Sequence, residues 1–274
     1  MRLIGKSQIG KGNLLEWGGG FGSASYDADA QALFDAFTTD PGATRKGLIN
    51  DVFLALKAAS IFTKLDILYV HAAHEQSAAL LNWLDPTGGW NGTAENSPTF
   101  TTDVGFTGNA SNMRINTNYN VSNEVGRQWA QNSAVLFAWS NTSAQRGNAI
   151  CGTASGNIIS IYPRFTDDKT YWIINDNSGG GFPNVANTAG NGLFVASRLA
   201  SNASEVYRNG ASLATNTAGT SAAPSNANLT VLFGDSSYSS HQCLCFGAGS
   251  GLTDAEVSDL YDALLPYMQA VAGI

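Results

Sequence analysis

The last quarter of the chain, residues 205–267, constrains the fold most, because short apolar strands alternate there with turn residues. Its first turn is Asn209-Gly210, and both residue types accept the positive φ angles of a type I′ hairpin. The apolar runs 229–234 and 243–247 follow as further strands. We therefore predict an antiparallel β-architecture for this part of the chain.

A helix is predicted to close the same region. Thr253 and Glu256 have the spacing of a capping box, in which each side chain bonds to the other residue's backbone amide. Apolar residues then recur at helical intervals from Val257 to Met268. Pro266 is expected to end or kink this helix. We expect the helix to pack on an edge or an end of the β-structure.

Apolar residues also alternate with a period of two from Asp85 onward, which is typical of strands with one buried face. Together with the closing region, nine or more short strands are predicted, and such a count favours a mostly β fold of two stacked antiparallel sheets. The additional strands are 99–102, 113–116, 135–139, 158–162, 171–174 and 193–196.

The segment before these strands has a helical pattern. Asp27 or Asp29 is a candidate N-cap, and apolar residues follow at steps of three and four. Within this segment we predict a third apolar helical block over 61–70 and a short helix over 75–83.

Three regions follow from these patterns. Residues 1–25 are rich in glycine and poor in apolar residues, so we predict either an arm that orders against a partner or a disordered tail. Residues 26–83 form a small helical subdomain, and residues 84–274 form the sandwich with its C-terminal helix.

Composition excludes several classes of protein. The formal net charge of −7 leaves no basic surface for nucleic acid. The start of the chain lacks the apolar region of a signal peptide, and no apolar run approaches the ~18 residues that a membrane span needs. We therefore expect synthesis in a cytoplasm, without membrane insertion. The three cysteines are expected to be free and buried.

Three pieces of the closing region resemble laminin G-like and concanavalin A-like jelly rolls. They are "VYRNGASL" for an outer hairpin, "LTVLFG" for the next strand and "CLCFGAGSGLTDAEVSDLY" for the final strand and helix start. The resemblance implies a jelly-roll topology for the predicted two-sheet sandwich.

Residues 33–86 resemble a segment that precedes jelly-roll domains in bacteriophage and prophage virion proteins. This resemblance implies a tail-fibre, head-fibre or spike component of a phage, prophage or gene-transfer-agent virion. Such a protein would associate with other virion proteins, form homo-oligomers and present a lectin-like domain to carbohydrate on the host surface. A purely architectural capsid or tail subunit without a ligand is the first alternative.

The motifs argue against an enzyme. His71 and His74 lack the spacing of a zinc-protease motif, and no serine-hydrolase elbow is present. Glycanases that resemble this jelly roll use a Glu-x-Asp-x-x-Glu run, which the sequence lacks. Carboxylates that pair across strands would escape this test, so a glycan-cleaving enzyme is the second alternative.

Laminin G-like relatives often bind calcium at one rim of the sandwich. Asn175, Asp176 and Asp235 follow predicted strands and offer the oxygen ligands that calcium prefers. They are the candidate calcium ligands, and turn formation is the alternative role of these residue types. We expect no other cofactor.

Sugar recognition is predicted from the aromatic residues. Sugars present apolar C–H faces and many hydroxyl groups, so their sites pair aromatic rings with polar groups. Trp90, Phe182 and Tyr238 lie among turn residues and are the candidate ligand-binding residues. Packing or interface contacts are the alternative role for each.

Overall fold

The computed structural model describes residues 25–153, 159–177 and 181–274. The predicted glycine-rich arm over residues 1–25 lies outside the described residues except for its last position. Single 3₁₀ turns span Phe62–Lys64 and Ala78–Leu80. The helices and strands of the described residues are, in chain order, α1 (Ala28–Ala36), α2 (Ala43–Ala58), β1 (Leu65–Val70), β2 (Thr93–Glu95), β3 (Thr99–Thr101), β4 (Gly105–Thr107), β5 (Arg114–Asn120), β6 (Ala134–Ser140), β7 (Cys151–Gly152), β8 (Ser160–Tyr162), β9 (Lys169–Ile173), β10 (Asn184–Ala186), β11 (Gly192–Arg198), β12 (Ser204–Arg208), β13 (Ala211–Asn216), β14 (Asn228–Val231), β15 (Phe233–Gly234), β16 (Ser237–Tyr238), β17 (Gln242–Gly249) and α3 (Asp254–Ala272).

Two large antiparallel sheets form a sandwich. The first, which we call the central sheet, has the order β13-β12-β11-β6-β17-β4-β3, and β1 also pairs with β17. The second, which we call the outer sheet, has the order β10-β9-β8-β7-β14-β5-β2. The short pair β15-β16 forms a separate hairpin. The mostly β fold with two antiparallel sheets, N-terminal helices and a C-terminal helix is therefore confirmed.

The central sheet is buried on both faces. All seven residues of β6 are buried, and alternate residues enter two different cores. Val135 and Phe137 pack against the helices, whereas Leu136 and Ala138 face the outer sheet. A strand that is buried on both sides needs a continuous apolar run, and residues 135–139 have one. The molecule is thus layered as helices, central sheet and outer sheet.

Helix α3 lies on the face of the central sheet, so its predicted place at an edge or end is wrong. Leu260 and Leu264 belong to the same core as Val135 and Phe137 of β6. This face of the central sheet is apolar, and burying it against an amphipathic helix removes both apolar surfaces from water.

The start of α3 agrees with its prediction, whereas its end does not. The capping box of Thr253 and Glu256 is present and confirms the predicted start. Pro266 does not end the helix, which continues to Ala272. The tertiary contacts of the last turn, including buried Tyr267 and Met268, outweigh the one hydrogen bond that proline removes.

The Asn209-Gly210 hairpin has the predicted conformation. Both residues have positive φ angles, 51° and 78°, and Arg208 pairs with Ala211 across the turn. Any Cβ at Gly210 would also lie 3.3 Å from Tyr261 of α3. The turn therefore needs glycine for its backbone angle and for its contact with the helix.

The helical prediction for residues 61–70 is wrong over most of its length. Leu65–Val70 is strand β1, fully buried and paired with β17. Helices α1 and α2 and strand β1 all contribute to the core beside the central sheet. Similarly, the predicted helix over 75–83 is a single 3₁₀ turn over Ala78–Leu80. Short apolar runs do not distinguish a buried strand from a helix.

The outer sheet keeps the predicted alternation. Along β5, Ile115, Thr117 and Tyr119 are buried, and their neighbours are half-buried. On β8 and β9, Ile161 and Trp172 enter the core between the sheets. Tyr162 and Tyr171 therefore lie on the opposite, outward face.

Among the described helices, none combines the length and apolar composition needed to cross a membrane.

Candidate functional site

A cleft of about 230 Å³ opens on the outward face of the outer sheet. It combines aromatic rings with a carboxylate. We call it the aromatic cleft, and its described lining residues are Tyr162, Phe165, Tyr171, Phe182 and Asp235.

Strand pairing brings the two tyrosines together. Tyr162 of β8 and Tyr171 of β9 are direct partners in the antiparallel register, so both side chains project from the same face. Phe165 lies in the β8–β9 connection, where residues 163–168 turn the chain. Phe182 immediately precedes the edge strand β10. Three consecutive strands and their connections thus supply all four rings.

The β15-β16 hairpin supplies the carboxylate. Asp235 and Ser236 form its turn with positive φ angles of 47° and 60°. This is type I′ geometry, which aspartate tolerates better than most residues. The backbone amide of Asp235 donates to the carbonyl oxygen of Thr153 at 3.0 Å, which fixes the hairpin against the outer sheet.

The rings pack mainly edge to face. The centroids of Tyr162 and Phe165 are 5.7 Å apart with an interplanar angle of 84°, and those of Phe165 and Tyr171 are 5.4 Å apart at 70°. The ring centroids of Phe182 and Tyr162 are 6.0 Å apart. Tyr162 is buried at 6% exposure, whereas the other three rings are half-buried. The cleft therefore has a rigid aromatic base and partly open aromatic sides.

Two hydrogen bonds orient the phenols. The Tyr162 hydroxyl donates to Oδ2 of Asp235 at 2.7 Å, and the Tyr171 hydroxyl donates to Oδ2 of Asp167 at 2.7 Å. Burial and then the bond to Asp235 raise the pKa of Tyr162 above its usual value. The bond to Asp167 raises the pKa of Tyr171. Both phenols therefore remain protonated donors at neutral pH.

This arrangement suits noncovalent binding of a polyhydroxylated ligand. Partly open rings offer apolar surface to C–H groups, and Asp235 accepts hydrogen bonds from hydroxyl groups. Glycosidases of both stereochemical classes use two carboxyl groups across the scissile bond. Asp235 is the one carboxylate among the described residues that line the cleft.

The three aromatic residues predicted to bind sugar are not brought together. Phe182 lines the aromatic cleft. Trp90 is half-buried elsewhere and packs edge to face on Tyr119 with centroids 5.0 Å apart. Tyr238 packs on Phe233 within the β15-β16 hairpin, with centroids 4.5 Å apart.

The three candidate calcium ligands are also separated. Asn175 is buried, where it donates to the carbonyl oxygens of Ala130 and Gln131 and accepts from the Trp129 indole. Asp176 is buried in an ion pair with Arg198, at 3.0 Å between Oδ2 and Nη2. Asp235 instead lies in the aromatic cleft. Over the described ranges, no group of three or more acidic, histidine or cysteine side chains is placed to hold a metal ion.

Sequence reasoning missed Tyr162, Phe165 and Tyr171 as site residues. Tyr162 and Tyr171 each stand next to a core residue, Ile161 or Trp172, so strand alternation was a usable signal for their outward direction. Phe165 had no such signal, because it lies in a connection between strands.

Two other depressions have less suitable chemistry. A groove of about 430 Å³ between α2 and α3 is lined by alanines with Asp259 and Asp262, and no aromatic ring lines its described part. A smaller cleft of about 70 Å³ holds Glu205 and Asp254 near the buried phenol of Tyr207, which donates to Asp254 at 2.7 Å. Over its described lining, neither depression combines partly open aromatic rings with an available hydrogen-bond acceptor.

Comparison with known proteins shows similarity of structure only. No protein-family model and no curated protein matches the sequence. The binding domain of botulinum neurotoxin DC, solved in complex with rat synaptotagmin II, aligns with a TM-score of 0.51 and 12% identity, over 74% of this chain and 52% of that one. A crystal structure described as a receptor binding domain aligns equally well, with a TM-score of 0.51 and 12% identity over 75% and 52% of the two chains.

The chain thus spans about half the length of these solved structures. Identities this low establish a common fold and nothing finer. The described residues form a β-sandwich of the type that these binding domains use.

Proposed function

We propose that this protein is a carbohydrate-binding module and that its ligand occupies the aromatic cleft. The observation that carries the proposal is the meeting of four aromatic rings with the carboxylate of Asp235 on one outward face. Hydrophobic burial favours packing of the rings alone, so aromatic packing by itself needs no ligand. A carboxylate held among rings by a tyrosine hydroxyl adds the polar partner that a sugar requires.

The contacts of Asp235 support a binding role. Tyr162 is the one side-chain donor to this carboxylate among the described residues, and it bonds to Oδ2. Oδ1 accepts no hydrogen bond from the described part of the chain. A ligand hydroxyl would supply this missing donor, while its C–H face packs on Phe182 or Tyr171.

The fold comparison is consistent with this use. The binding domain of botulinum neurotoxin DC was solved in complex with rat synaptotagmin II, so a sandwich of this type takes part in binding in that protein. We propose recognition as the role of this chain as well. Binding without catalysis is part of the proposal, because the cleft has one lining carboxylate among its described residues.

The finer assignment is a virion protein of a phage, prophage or gene-transfer-agent particle, of the tail-fibre, head-fibre or spike type. It rests on the resemblance of residues 33–86 to segments that precede jelly rolls in such proteins, and on the resemblance of the closing region to laminin G-like and concanavalin A-like jelly rolls. Other virion proteins would hold the chain on the particle. Several copies in a homo-oligomer would bind host glycans together, which strengthens individually weak contacts.

Binding of the full chain to a glycan array tests the proposal. We expect a set of bound glycans whose signals fall at least tenfold in Phe182→Ala, because the variant removes an open ring from the cleft. Trp90→Ala is the matched comparison, since it removes a half-buried candidate ring that lies outside the described lining of the cleft. Loss of binding in Trp90→Ala alone would move the site away from the cleft. Absence of any bound glycan would favour the purely architectural role.

A further inference from the structure

We propose that the aromatic cleft selects ligands by charge: it accepts neutral sugars and sugars with a free amine, and it rejects sugars that carry a carboxylate or sulfate. This inference rests on the proposed function and specifies its class of ligand. The cleft's charge, the state of nearby cations and the bonding of Asp235 support it.

The charge of the cleft is negative. Asp235 is the charged member of the described lining, and the other described lining residues are uncharged aromatics. Residues 154–158 and 178–180, which are close in sequence to β8 and Phe182, contain no charged side chain. The formal net charge of −7 adds to the negative field around the cleft.

Two cations near the rim, Lys169 and Arg164, are already paired with carboxylates. Nζ of Lys169 lies 3.2 Å from Oδ2 of Asp167, and Nε of Arg164 lies 2.7 Å from Oδ1 of Asp168. Recruiting either cation to an anionic ligand would leave its present carboxylate partner behind. In the described residues, no lysine or arginine lies within ion-pair distance of Asp235. The described lining of the cleft therefore contains no forked guanidinium of the kind that commonly recognises carboxylate or sulfate groups.

The bonding of Asp235 explains the preference for donors. A carboxylate accepts hydrogen bonds and donates none, and Tyr162 bonds to only one of its two oxygens. A neutral sugar donates a hydroxyl hydrogen to the other oxygen. An ammonium group forms a charge-assisted bond there and also interacts favourably with the surrounding rings. A ligand carboxylate would instead place two like charges together.

Three probes that share one pyranose ring but differ in charge test the selectivity. They are the methyl glycosides of glucose, glucosamine and glucuronic acid. The corresponding galactose series is measured in parallel. Each is titrated into the full chain, and affinity is measured by calorimetry or ligand-observed NMR. We expect the amine to bind most tightly, and the acid to bind about tenfold or more weakly than the neutral sugar, as two charges a few ångströms apart imply.

Asp235→Asn tests whether this carboxylate produces the ranking. Asparagine keeps the size and one acceptor oxygen, so we expect the three affinities to converge to within about threefold. Asp259→Asn is the matched control, because it makes the same change in net charge at an exposed residue of α3. We expect this control to keep the ranking.

The outcomes separate the selectivity from the proposed function. Sugar binding that Phe182→Ala abolishes but that shows no charge ranking would overturn the selectivity and leave the function intact. Equal loss of ranking in Asp259→Asn would also overturn it, since the general field would then be the cause. Binding of no probe and no arrayed glycan would overturn both. The wild-type ranking tests the proposal even if Asp235→Asn does not fold.

Discussion

Tyr162 of the outer sheet donates a 2.7 Å hydrogen bond to Asp235 of the β15-β16 hairpin, 73 residues later in the chain. The bond joins the two elements that build the aromatic cleft. It also fixes the orientation of the carboxylate, because the phenol is buried and the aspartate is half-buried. The geometry of the site therefore depends on a long-range contact between side chains.

Tyr162→Phe tests this contact directly. The variant keeps the ring and removes the hydroxyl, so Asp235 loses its donor and its fixed orientation. We expect sugar affinity to fall roughly three- to tenfold and the free energy of unfolding to fall by about 1 kcal/mol. Calorimetry and urea denaturation measure the two effects. Unchanged affinity in a folded variant would show that Asp235 needs no positioning.

Asp176→Asn tests the buried ion pair that supports the segment after β9. Arg198 has no exposed surface, and it also donates to carbonyl oxygens of Ile174, Ala200 and Ser201. Removing the charge of Asp176 leaves a buried guanidinium without its carboxylate. We expect a loss of about 3 kcal/mol in the free energy of unfolding, measured by urea denaturation. Asp259→Asn, on an exposed helix surface, should unfold like the parent protein.

Calcium should have little effect on thermal stability. Asn175 and Asp176 are engaged in buried bonds, and Asp235 lies with Tyr162 in the cleft. Binding a cation through Asp176 would require breaking its pair with Arg198. We expect the melting temperature to be the same in millimolar calcium and in excess EDTA, as measured by scanning calorimetry. A rise of several degrees in calcium would instead reveal a bound ion.

Acid should destabilise the protein through buried histidines. Burial lowers the pKa of His71 from 6.5 to about 4, and burial together with nearby Arg146 lowers the pKa of His241 to about 3. The unfolded chain therefore binds protons more readily than the folded chain below pH 6.5. We expect stability to fall between pH 6.5 and 4, by roughly 3 kcal/mol from His71 alone.

Urea denaturation across this pH range measures the histidine effect. His71 packs between the rings of Tyr69 and Phe106, and its Nδ1 bonds to the carbonyl oxygen of Ala79. His71→Gln lowers stability at neutral pH but removes one titrating group. Its pH dependence should therefore be flatter than that of the parent, and an equally steep curve would show that His71 binds protons equally well in the folded and unfolded chains.

Local sequence predicted the elements that local chemistry determines. Asn209-Gly210 and the Thr253–Glu256 capping box depend on residues a few positions apart, and both have the predicted geometry. Strand β1 was predicted as helix because burial on both faces removes the alternation that marks a strand. The predicted place of α3 was also wrong, because its position depends on which face of the central sheet is apolar and must be buried.

The site could be predicted only in separate pieces. Phe182 was a candidate for sugar and Asp235 a candidate for calcium, yet both line one cleft. Their meeting depends on the strand order of the outer sheet and on the position of the β15-β16 hairpin. Neither is encoded in the spacing of residues along the chain. The proposed ligand chemistry rests on the position of this carboxylate among the rings.

An NMR titration of the full chain with a glycan selected on the array, with ¹³C-labelled phenylalanine, tyrosine and tryptophan, tests most directly whether the aromatic cleft binds sugar. We predict that the ring signals of Tyr162, Phe165, Tyr171 and Phe182 shift together in a saturable manner, while those of Trp90 and Tyr238 stay unchanged. Shifts confined to Trp90, Tyr238 or rings outside the cleft would contradict this prediction.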